Sequence, residues 1–189
     1  DPTRTTASGQ ISLPDAESVF RIHTLDARTK IFGLIGNPVS GSRGIYFHNS
    51  IFRRRSLNAV YVNFLVDDLK TFFEAFRRYA SGFSITMPFK RDIIPYLDRI
   101  EEDARSLHSV NTVLIRRGSA TGSNTDLPAI RSIIRKRVTS LRGKRVLVIG
   151  TGATAHTMAY AMSRDGADTT IVGRSPVKAR DLAAELGCS

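Results

Sequence analysis

The feature of this chain that most constrains its fold is an apolar strand that runs directly into a glycine-rich turn and a helix of small residues. Arg145–Ile149 is followed by GTGATA, which has the pattern G-x-G-x-x-A. The first glycine permits a tight turn, the second lets the backbone approach a pyrophosphate, and the small third residue lets the helix pack closely on the sheet. The segment predicts a dinucleotide-binding α/β domain, with a purely structural strand–turn–helix as the alternative. The residues expected to contact phosphate are Gly150, Thr151, Gly152, Ala153, Thr154 and Ala155.

The end of the next predicted strand, Thr169–Val172, indicates which dinucleotide would bind. An acidic residue at this place would bind the ribose 2′-hydroxyl of NAD, whereas an arginine accommodates the 2′-phosphate of NADP. The chain has Gly173-Arg174-Ser175 here, with Lys178 one helical turn later. Arg174, Ser175 and Lys178 therefore predict NADP as the cofactor, and ordinary basic surface residues are the alternative interpretation.

Upstream of this segment, apolar stretches alternate with amphipathic ones. Helices are predicted at residues 46–56 and from Asp67 to Tyr79, with Asp67 or Asp68 as the N-terminal cap of the second helix. Short apolar runs predict strands at Ile31–Gly36, Ala59–Leu65 and Phe83–Thr86, and a hairpin at Val110–Ile115 and residues 120–122. This alternation is typical of an α/β domain.

The predicted organisation is an N-terminal α/β substrate domain followed by a Rossmann-type NADP-binding domain that is incomplete in this chain. A complete dinucleotide fold has two mononucleotide halves, and only the first is recognisable, ending within the helix after the second strand. The predicted boundaries are residues 1–28 for a tail, 29–126 for the substrate-binding catalytic domain, 127–143 for a connecting helix and 144–189 for the first part of the nucleotide domain. Within the tail, Leu13–Ile22 predicts a short helix for which the sequence offers no packing partner.

Two polar loops carry a lysine and an aspartate that suit proton transfer. Lys90 ends the segment SITMPFK, and Asp126 ends GSNTD. Hydride transfer to a carbonyl leaves an alkoxide that needs a proton, and the reverse reaction needs a base. A lysine partly desolvated beside a carboxylate can fill either role, which predicts a dehydrogenase of a small hydroxylated substrate. The alternatives are a surface lysine and a helix-capping aspartate, since Asp126 precedes Leu127-Pro128.

The composition bears on partners and compartment. The net charge of +11 suits anionic ligands, and the basic runs at residues 53–55 and 135–137 would also permit nucleic-acid contacts. Nucleic-acid binding is not expected, because Phe72, Phe73 and Phe76 follow the pattern of a buried helix face instead of base-stacking platforms. No apolar run reaches the ~18 residues of a membrane span. The single cysteine, Cys188, excludes an internal disulfide, and zinc-type spacing is absent, so no metal site is predicted.

At these residues the chain resembles the shikimate dehydrogenase family. The motifs that carry the resemblance are GNPVS at residues 36–40 with His48-Asn49, the lysine motif at 84–90, the two Asn-Thr motifs at 109–112 and 122–126, and Gly173-Arg174-Ser175, which is similar to the family's NADP-phosphate clamp. The resemblance implies NADP-dependent interconversion of 3-dehydroshikimate and shikimate in aromatic amino acid biosynthesis, at a cleft between two domains. It also implies that Lys90 and Asp126 form the catalytic pair. Ser42, Thr86 and Asn111 would hold the substrate's carboxylate and hydroxyls, with Ser84 as a weaker candidate.

One loop departs from the family pattern, in which two serines separated by one residue and followed by proline bind the substrate carboxylate. Ser42 is present, but Gly44 and Ile45 replace the second serine and the proline. Loss of one hydroxyl donor to a carboxylate would weaken binding by about 1.5–3 kcal/mol. Arg43 compensates only if its side chain turns inward; alternatively, Gly44 makes room for the extra hydroxyl of quinate. A quinate/shikimate dehydrogenase and a non-catalytic dehydrogenase-like domain therefore stay open as alternatives.

The tail adds a second resemblance. Ala7–Ile11 is similar to the lid segment near the end of type I 3-dehydroquinate dehydratases, with serine in place of the usual proline. Such dehydratases occur fused ahead of shikimate dehydrogenases, so a dehydratase domain is expected upstream. We expect a cytoplasmic protein, or a plastid protein if the fusion is of the plant type.

Overall fold

The computed structural model of the protein describes residues 11–189. The chain forms two compact units. The first contains the described residues up to Ile100 together with Thr112–Gly122, and the second contains Glu101–Asn111 and Ser123–Ser189. The predicted boundaries at residues 28, 126 and 143 stay a prediction. Residues 7–10, on which most of the resemblance to a dehydratase rests, lie outside the described residues.

The first unit is built on a mixed sheet with the strand order β2-β1-β3-β5-β6-β4. β1 lies between β2 and β3 and is parallel to both, whereas β5 is antiparallel to β3. The predicted strands and the hairpin partners are therefore confirmed as neighbours in one sheet; the very short β4 was not predicted. The strands are β1 Lys30–Gly36, β2 Ala59–Leu65, β3 Ala80–Ile85, β4 Arg99–Ile100, β5 Thr112–Arg116 and β6 Ser119–Ser123.

Two longer helices and several short turns accompany this sheet. Asp68 caps α3 by accepting a hydrogen bond from the Thr71 N–H at 3.2 Å. Asp67, the other predicted cap, accepts instead from the Asn37 side-chain amide at 2.8 Å. The helical elements are α1 Leu13–Asp15, a π-helical turn Ala16–Phe20, a 3₁₀ turn Ile22–Thr24, α2 Gly44–Arg54, α3 Leu69–Phe76 and a 3₁₀ turn Ile94–Tyr96.

One face of the sheet carries an aromatic core. Phe72 and Phe76 of α3 stack with ring centroids 4.8 Å apart, and both lie against Phe64 of β2. Phe83 of β3 completes the cluster, with its ring centroid 6.1 Å from that of Phe64. The predicted buried helix face is confirmed for Phe73, which is 1% exposed, and wrong for Phe76, which packs on its neighbours but is 37% exposed. These rings are occupied in packing, and aromatic packing of this kind adds to the stabilisation from buried apolar area.

On the opposite face, α2 protects β2, which is an edge strand. The Asn49 side chain donates from Nδ2 to the Tyr61 carbonyl oxygen and accepts from the Tyr61 N–H, both at 2.9 Å. An edge strand exposes backbone groups that another strand would normally pair. Asn49, which is only 6% exposed, satisfies both groups of Tyr61 and thereby joins the helix to the sheet.

The N-terminal segment also packs on α2. Phe20 is buried, and together with Val19 and Arg21 it faces Asn49, Phe52 and Arg53 across a cavity of about 470 Å³. The expectation that Leu13–Ile22 lacks a partner is wrong, because Val19 and Phe20 lie against α2, on a side that the sequence pattern did not identify as a packing surface. Leu13 and Ile22 stay exposed.

The second unit contains one strand–helix–strand–helix run with additional helices. β7 and β8 are parallel and in register from Arg145 paired with Asp168 to Ile149 paired with Val172. Apolar and small residues from β7, β8, α6 and α7 form one core, and a second core joins α4, α5 and α6. The elements are α4 Glu102–Ser106, α5 Asp126–Arg135, β7 Arg145–Ile149, α6 Ala153–Arg164, β8 Asp168–Val172 and α7 Pro176–Leu186.

The last residues differ from the expectation that the chain ends within a helix. α7 stops at Leu186, where Gly187 has φ of +66°, in the left-handed region that favours glycine at a helix end. Ser189 then donates to the Thr169 carbonyl and accepts from the Ile171 N–H, at 2.9 and 2.8 Å. These two hydrogen bonds have the pattern that a strand paired with β8 would form. Within the described residues no helix is long and apolar enough to cross a membrane.

Candidate active site

The loop before α2 places Ser42 at the start of a helix. The Ser42 hydroxyl accepts a hydrogen bond from the Gly44 N–H at 3.2 Å, and its own N–H donates to the Val39 carbonyl at 3.0 Å. Arg43 is the N-cap residue and its side chain is exposed, so it does not turn inward as compensation would require. The first N–H groups of a helix and its dipole favour an anion. The loop is thus suited to a carboxylate.

The space beside Gly44 is occupied. A Cβ atom at residue 44 would lie 3.1 Å from Cε1 and 3.5 Å from the hydroxyl oxygen of Tyr61, and 3.3 Å from the Ser42 hydroxyl. A side chain at residue 44 would therefore be crowded by this ring, and the interpretation that Gly44 makes room for the extra hydroxyl of quinate stays a prediction. The ring that fills the space comes from a strand 17 residues later, and the sequence alone does not reveal that approach.

Tyr61 is buried and fixed. It is 4% exposed, its backbone is bonded to Asn49, and the His48 ring stacks on it at a centroid distance of 4.3 Å. Burial raises the pKa of the Tyr61 hydroxyl, and a hydrogen-bonding interaction with the Ser84 side chain opposes part of that rise. Burial also lowers the pKa of His48, so its imidazole is favoured in the neutral form.

The segment from Ser84 to Lys90 begins in β3 and continues as a turn beside the end of β1. Ser84 lies in register with Leu34. Thr86 donates its N–H to the Ile35 carbonyl and accepts from the Phe89 N–H, both at 2.9 Å. A Cβ at Gly36 would come within 2.3 Å of the Thr86 methyl carbon, so only glycine permits this approach. Lys90 is half-buried at the end of the turn. Ser42, Ser84, Thr86 and Lys90 all belong to the first unit.

Asn63 is a polar residue that the sequence analysis missed. It lies in β2 in register with Leu34, which in turn is in register with Ser84. Its Nδ2 donates to the Val39 carbonyl at 3.4 Å, which supports the Ser42 loop. Its Oδ1 is buried without a hydrogen-bond partner among the described residues. The sequence signal for a polar side chain at this place was the asparagine within the otherwise apolar run AVYVNFL.

In the second unit, the two Asn-Thr motifs are joined through their asparagines. The Asn111 Oδ1 accepts hydrogen bonds from the Thr125 N–H at 2.9 Å and from its hydroxyl at 3.2 Å. The Asn124 side chain donates to the Ser109 carbonyl at 2.9 Å. Asn111 thus has a structural contact in addition to the substrate-binding role expected of it, which stays a prediction.

Asn124 also supplies the cap of α5. Its Oδ1 accepts from the Asp126 N–H at 3.0 Å and the Leu127 N–H at 3.2 Å. Asp126 is already in the first turn of the helix. The alternative interpretation of Asp126 as the capping residue is therefore wrong. Lys90 lies in the first unit and Asp126 in the second, and their action as a pair stays a prediction.

The glycine-rich turn has the backbone that a phosphate-binding loop needs. Gly150 has φ of +125°, a conformation that side chains disfavour, and its N–H donates to the Val172 carbonyl at 2.7 Å. Gly152 is the N-cap of α6, whose first turn is formed by Ala153, Thr154 and Ala155. A Cβ at Gly150 would be 3.6 Å from the Ala155 Cβ, so a small residue at 155 keeps the helix close.

The loop after β8 lies against this turn, because a Cβ at Gly173 would be 2.9 Å from the Thr151 methyl carbon. Arg174 and Lys178 are exposed next to it. The Ser175 hydroxyl accepts from the Lys178 N–H at 3.4 Å and caps α7, so this residue has a structural role beside the predicted one. The backbone and the basic side chains of the two loops fit a phosphorylated dinucleotide.

His156 holds the two helices of this unit together. It is 6% exposed, and its Nε2 lies 3.1 Å from a carboxylate oxygen of Glu185 on α7. The contact positions α6, which carries the glycine-rich turn. In the part of the chain that the structure describes, no group of three or more His, Cys, Asp or Glu side chains is arranged to hold a metal ion.

Comparison with known proteins agrees with this arrangement. A family model described as the shikimate dehydrogenase substrate binding domain matches residues 34–113. A second model, described as shikimate / quinate 5-dehydrogenase, matches residues 132–189. The first match contains Ser42, Ser84, Thr86, Lys90 and Asn111, and the second contains the glycine-rich turn and Arg174.

Individual relatives point the same way. Shikimate dehydrogenase (NADP(+)) of Pyrococcus abyssi is 38% identical over 154 residues, which are 81% of this chain and 58% of the relative. The bifunctional 3-dehydroquinate dehydratase/shikimate dehydrogenase, chloroplastic, of Arabidopsis thaliana is 32% identical over 203 aligned positions, covering 99% of this chain and 34% of the relative. The crystal structure of shikimate dehydrogenase from Aquifex aeolicus superposes with a TM-score of 0.80 at 34% identity, covering 87% of this chain and 63% of that one.

The chain spans 58% to 63% of the length of the two single-function relatives named above. The two matched models describe parts of one kind of enzyme and together cover residues 34–113 and 132–189. The chain belongs to the shikimate dehydrogenase family.

Proposed function

We propose that the protein is an NADP-dependent shikimate dehydrogenase, an oxidoreductase that reversibly reduces 3-dehydroshikimate to shikimate. The observation that carries the proposal is the convergence of candidate substrate-binding side chains on one place in the first unit. The hydroxyls of Ser42 and Tyr61 both lie within 3.5 Å of the position that a Cβ at residue 44 would occupy. The Ser84 side chain forms a hydrogen bond with the Tyr61 hydroxyl. Thr86 and Lys90 follow Ser84 in the same segment. Hydroxyls, a helix start and a lysine together suit a small hydroxylated carboxylate.

The reaction assigns Lys90 to proton transfer. When bound, the dinucleotide supplies or accepts the hydride at the substrate carbon. In the reduction, Lys90 in its ammonium form donates a proton to the alkoxide oxygen, which completes the hydroxyl group; in the oxidation, its neutral amine takes the proton from that hydroxyl. Asp126 is proposed as the second member of the pair from the family resemblance. Thr86 and Asn111 are proposed to hold substrate hydroxyls, and Ser42 and Ser84 its carboxylate end.

The second unit supports NADP as the cofactor. Gly150–Ala155 provides the turn and helix start for the pyrophosphate, and Arg174 and Lys178 are exposed where a 2′-phosphate would lie. An arginine fork binds phosphate with charge-assisted hydrogen bonds, and the segment 173–175 has no carboxylate to bind a free 2′-hydroxyl. The relative from Pyrococcus abyssi bears NADP(+) in its name.

The experiment is a panel of oxidations by a protein that carries this chain at the full length of its relatives. Shikimate, quinate and an unrelated secondary alcohol are each offered with NADP and with NAD, and the reduced nicotinamide is followed by absorbance. We expect turnover with shikimate and NADP. Equal rates with the unrelated alcohol, or no turnover with either cyclohexane carboxylate, would contradict the proposal.

Quinate is the second candidate substrate. Gly44 and Ile45 depart from the family pattern at the carboxylate loop. The family model that matches residues 132–189 is described as shikimate / quinate 5-dehydrogenase, which names both substrates. The panel decides this by comparing kcat/KM for quinate and shikimate.

The fusion partner and the cellular location of the whole protein are also proposals. The alignment with the bifunctional relative extends over 99% of this chain, which supports a dehydratase domain fused upstream. We propose a cytoplasmic location, with a plastid as the alternative that the chloroplastic relative favours. Mass measurement of the native protein tests the fusion, and organelle fractionation tests the location.

A further inference from the structure

The two loops proposed to bind the dinucleotide stand at the starts of two different helices. The glycine-rich turn leads into α6, and the basic segment with Arg174 leads into α7, which has Lys178 in its first turn. NADP carries its 2′-phosphate and its pyrophosphate on one ribose, at a nearly fixed separation. Both groups are bound well only if the two helices already keep a matching separation.

Close packing spaces the two loops where the helices begin. A Cβ at Gly173 would lie 2.9 Å from the Thr151 methyl carbon, so the backbone of one loop lies directly against a side chain of the other. This contact limits how near the loops approach each other, but a van der Waals contact at one end does not set the direction of a helix. The orientation of α7 relative to α6 needs a second point of attachment.

A polar contact between the two helices supplies that second point. His156 lies three residues after the first residue of α6, and its backbone N–H donates to the Gly152 carbonyl at 2.9 Å. The residue is thus bonded directly to the glycine-rich turn. Its Nε2 lies 3.1 Å from a carboxylate oxygen of Glu185, near the end of α7. Because a carboxylate accepts hydrogen bonds, Nε2 is the donor.

The packing around this contact consists of small residues. Ala159 of α6 lies in one core with Ala179 and Ala183 of α7. Alanine side chains form shallow ridges and grooves, so they specify the register between two helices weakly. His156 is buried, and its hydrogen bond is directional. The bond to Glu185 therefore sets the register that the alanines leave loosely defined.

We propose that His156 is a positioning residue for the cofactor, whose hydrogen bond to Glu185 fixes the separation of the pyrophosphate turn and the 2′-phosphate loop and so favours NADP over NAD. The inference rests on the proposed function, because it explains the cofactor selectivity of that same site. His156 acts through the placement of α6 and α7, which carry the groups that bind the dinucleotide.

The test measures dissociation constants by titration, in a protein that carries this chain at the full length of its relatives. NADP spans both loops, NAD lacks the 2′-phosphate, and adenosine 2′-monophosphate lacks the pyrophosphate. Leucine at residue 156 keeps much of the buried volume and removes the hydrogen bond. We expect His156→Leu to raise the dissociation constant for NADP about threefold to tenfold and to leave the other two ligands within about twofold.

Variants of the partner residue separate positioning from charge. Removal of a negative charge near the site would by itself strengthen the binding of an anionic cofactor, so weaker binding in Glu185→Ala measures the lost contact. Asp181→Ala is the matched control, since it removes an exposed carboxylate from the preceding turn of the same helix. We expect Glu185→Ala to weaken NADP as His156→Leu does, and the control not to weaken it. His156→Gln keeps a side-chain N–H donor and should recover most of the affinity.

Three results would overturn the inference. Equal weakening of all three ligands would show damage to the whole unit. An unchanged dissociation constant for NADP in both variants, or a loss in His156→Leu that Glu185→Ala does not reproduce, would show that the contact does not position the loops.

Binding and turnover keep the inference distinct from the proposed function. Selective loss of NADP binding in these variants of a protein that does not oxidise shikimate would support the inference and contradict the proposed function. Shikimate oxidation with NADP binding that neither variant changes would do the reverse. An unchanged protein that binds NAD as tightly as NADP would overturn both the inference and the cofactor assignment.

Discussion

Replacing Asn49 by alanine tests how the first unit is held together. Asn49 is 6% exposed and makes two hydrogen bonds of 2.9 Å to the backbone of Tyr61, on the outer edge of β2. Alanine removes both side-chain partners, so the buried N–H and the buried carbonyl of Tyr61 are left without these hydrogen bonds. Each such group costs about 1–3 kcal/mol, so we expect the variant to be about 2–6 kcal/mol less stable.

The loss of stability should be accompanied by a local loss of protection around Tyr61. β2 would become an unprotected edge at Tyr61, and the Tyr61 amide should lose most of its protection against hydrogen exchange. Ser50→Ala is the matched control, because the Ser50 hydroxyl donates to the Phe47 carbonyl at an exposed place on the same helix. We expect that control to lie within about 0.5 kcal/mol of the unchanged protein.

Denaturant unfolding gives the free-energy difference, and exchange followed by NMR or mass spectrometry gives the local effect. Loss of stability without loss of protection at Tyr61 would show that Asn49 acts elsewhere. A variant as stable as the Ser50→Ala control would refute the reasoning, because the two bonds would then contribute nothing to folding.

Two further predictions concern cofactor choice and pH. Arg174→Glu should raise KM for NADP by about tenfold to a hundredfold relative to NAD, since a charge-assisted bond to the 2′-phosphate is lost; equal changes for both cofactors would contradict this. Burial lowers the pKa of His48 from its ordinary value of 6.5, so the unfolded chain binds a proton more readily than the folded one. Stability should therefore fall as the pH drops from 6.5 toward the folded pKa, and His48→Gln should show a smaller loss between about pH 7.5 and about pH 5.5 in urea unfolding.

The strands and the main helices could be predicted because their apolar patterns are strong and locally complete. The strand Arg145–Ile149 and its glycines also predicted the backbone that Gly150 adopts, since the pattern has a direct steric cause. The helix predicted at residues 46–56 lies within two residues of α2 at both ends. Hydrophobic periodicity determines such elements without reference to the rest of the chain.

The parts that failed depend on contacts between distant residues. Asp126 precedes a leucine and a proline and so had the sequence context of a cap, but Asn124 takes that role because its amide also reaches Ser109. The approach of Tyr61 to Gly44 follows from the pairing of α2 with β2 through Asn49. The tail helix found a partner on a side of α2 that the pattern left unassigned. None of these contacts has a signature within a short window of sequence.

The most direct test of the proposed dehydrogenase is the rate of shikimate oxidation after Lys90→Ala. The matched control is Lys70→Ala, since Lys70 is exposed on α3 and lies outside the proposed site. We predict that kcat with shikimate and NADP falls by about a hundredfold to ten-thousandfold in Lys90→Ala, the usual contribution of a proton-transfer group, and is unchanged in the control. A Lys90→Ala enzyme as fast as the control would contradict the account.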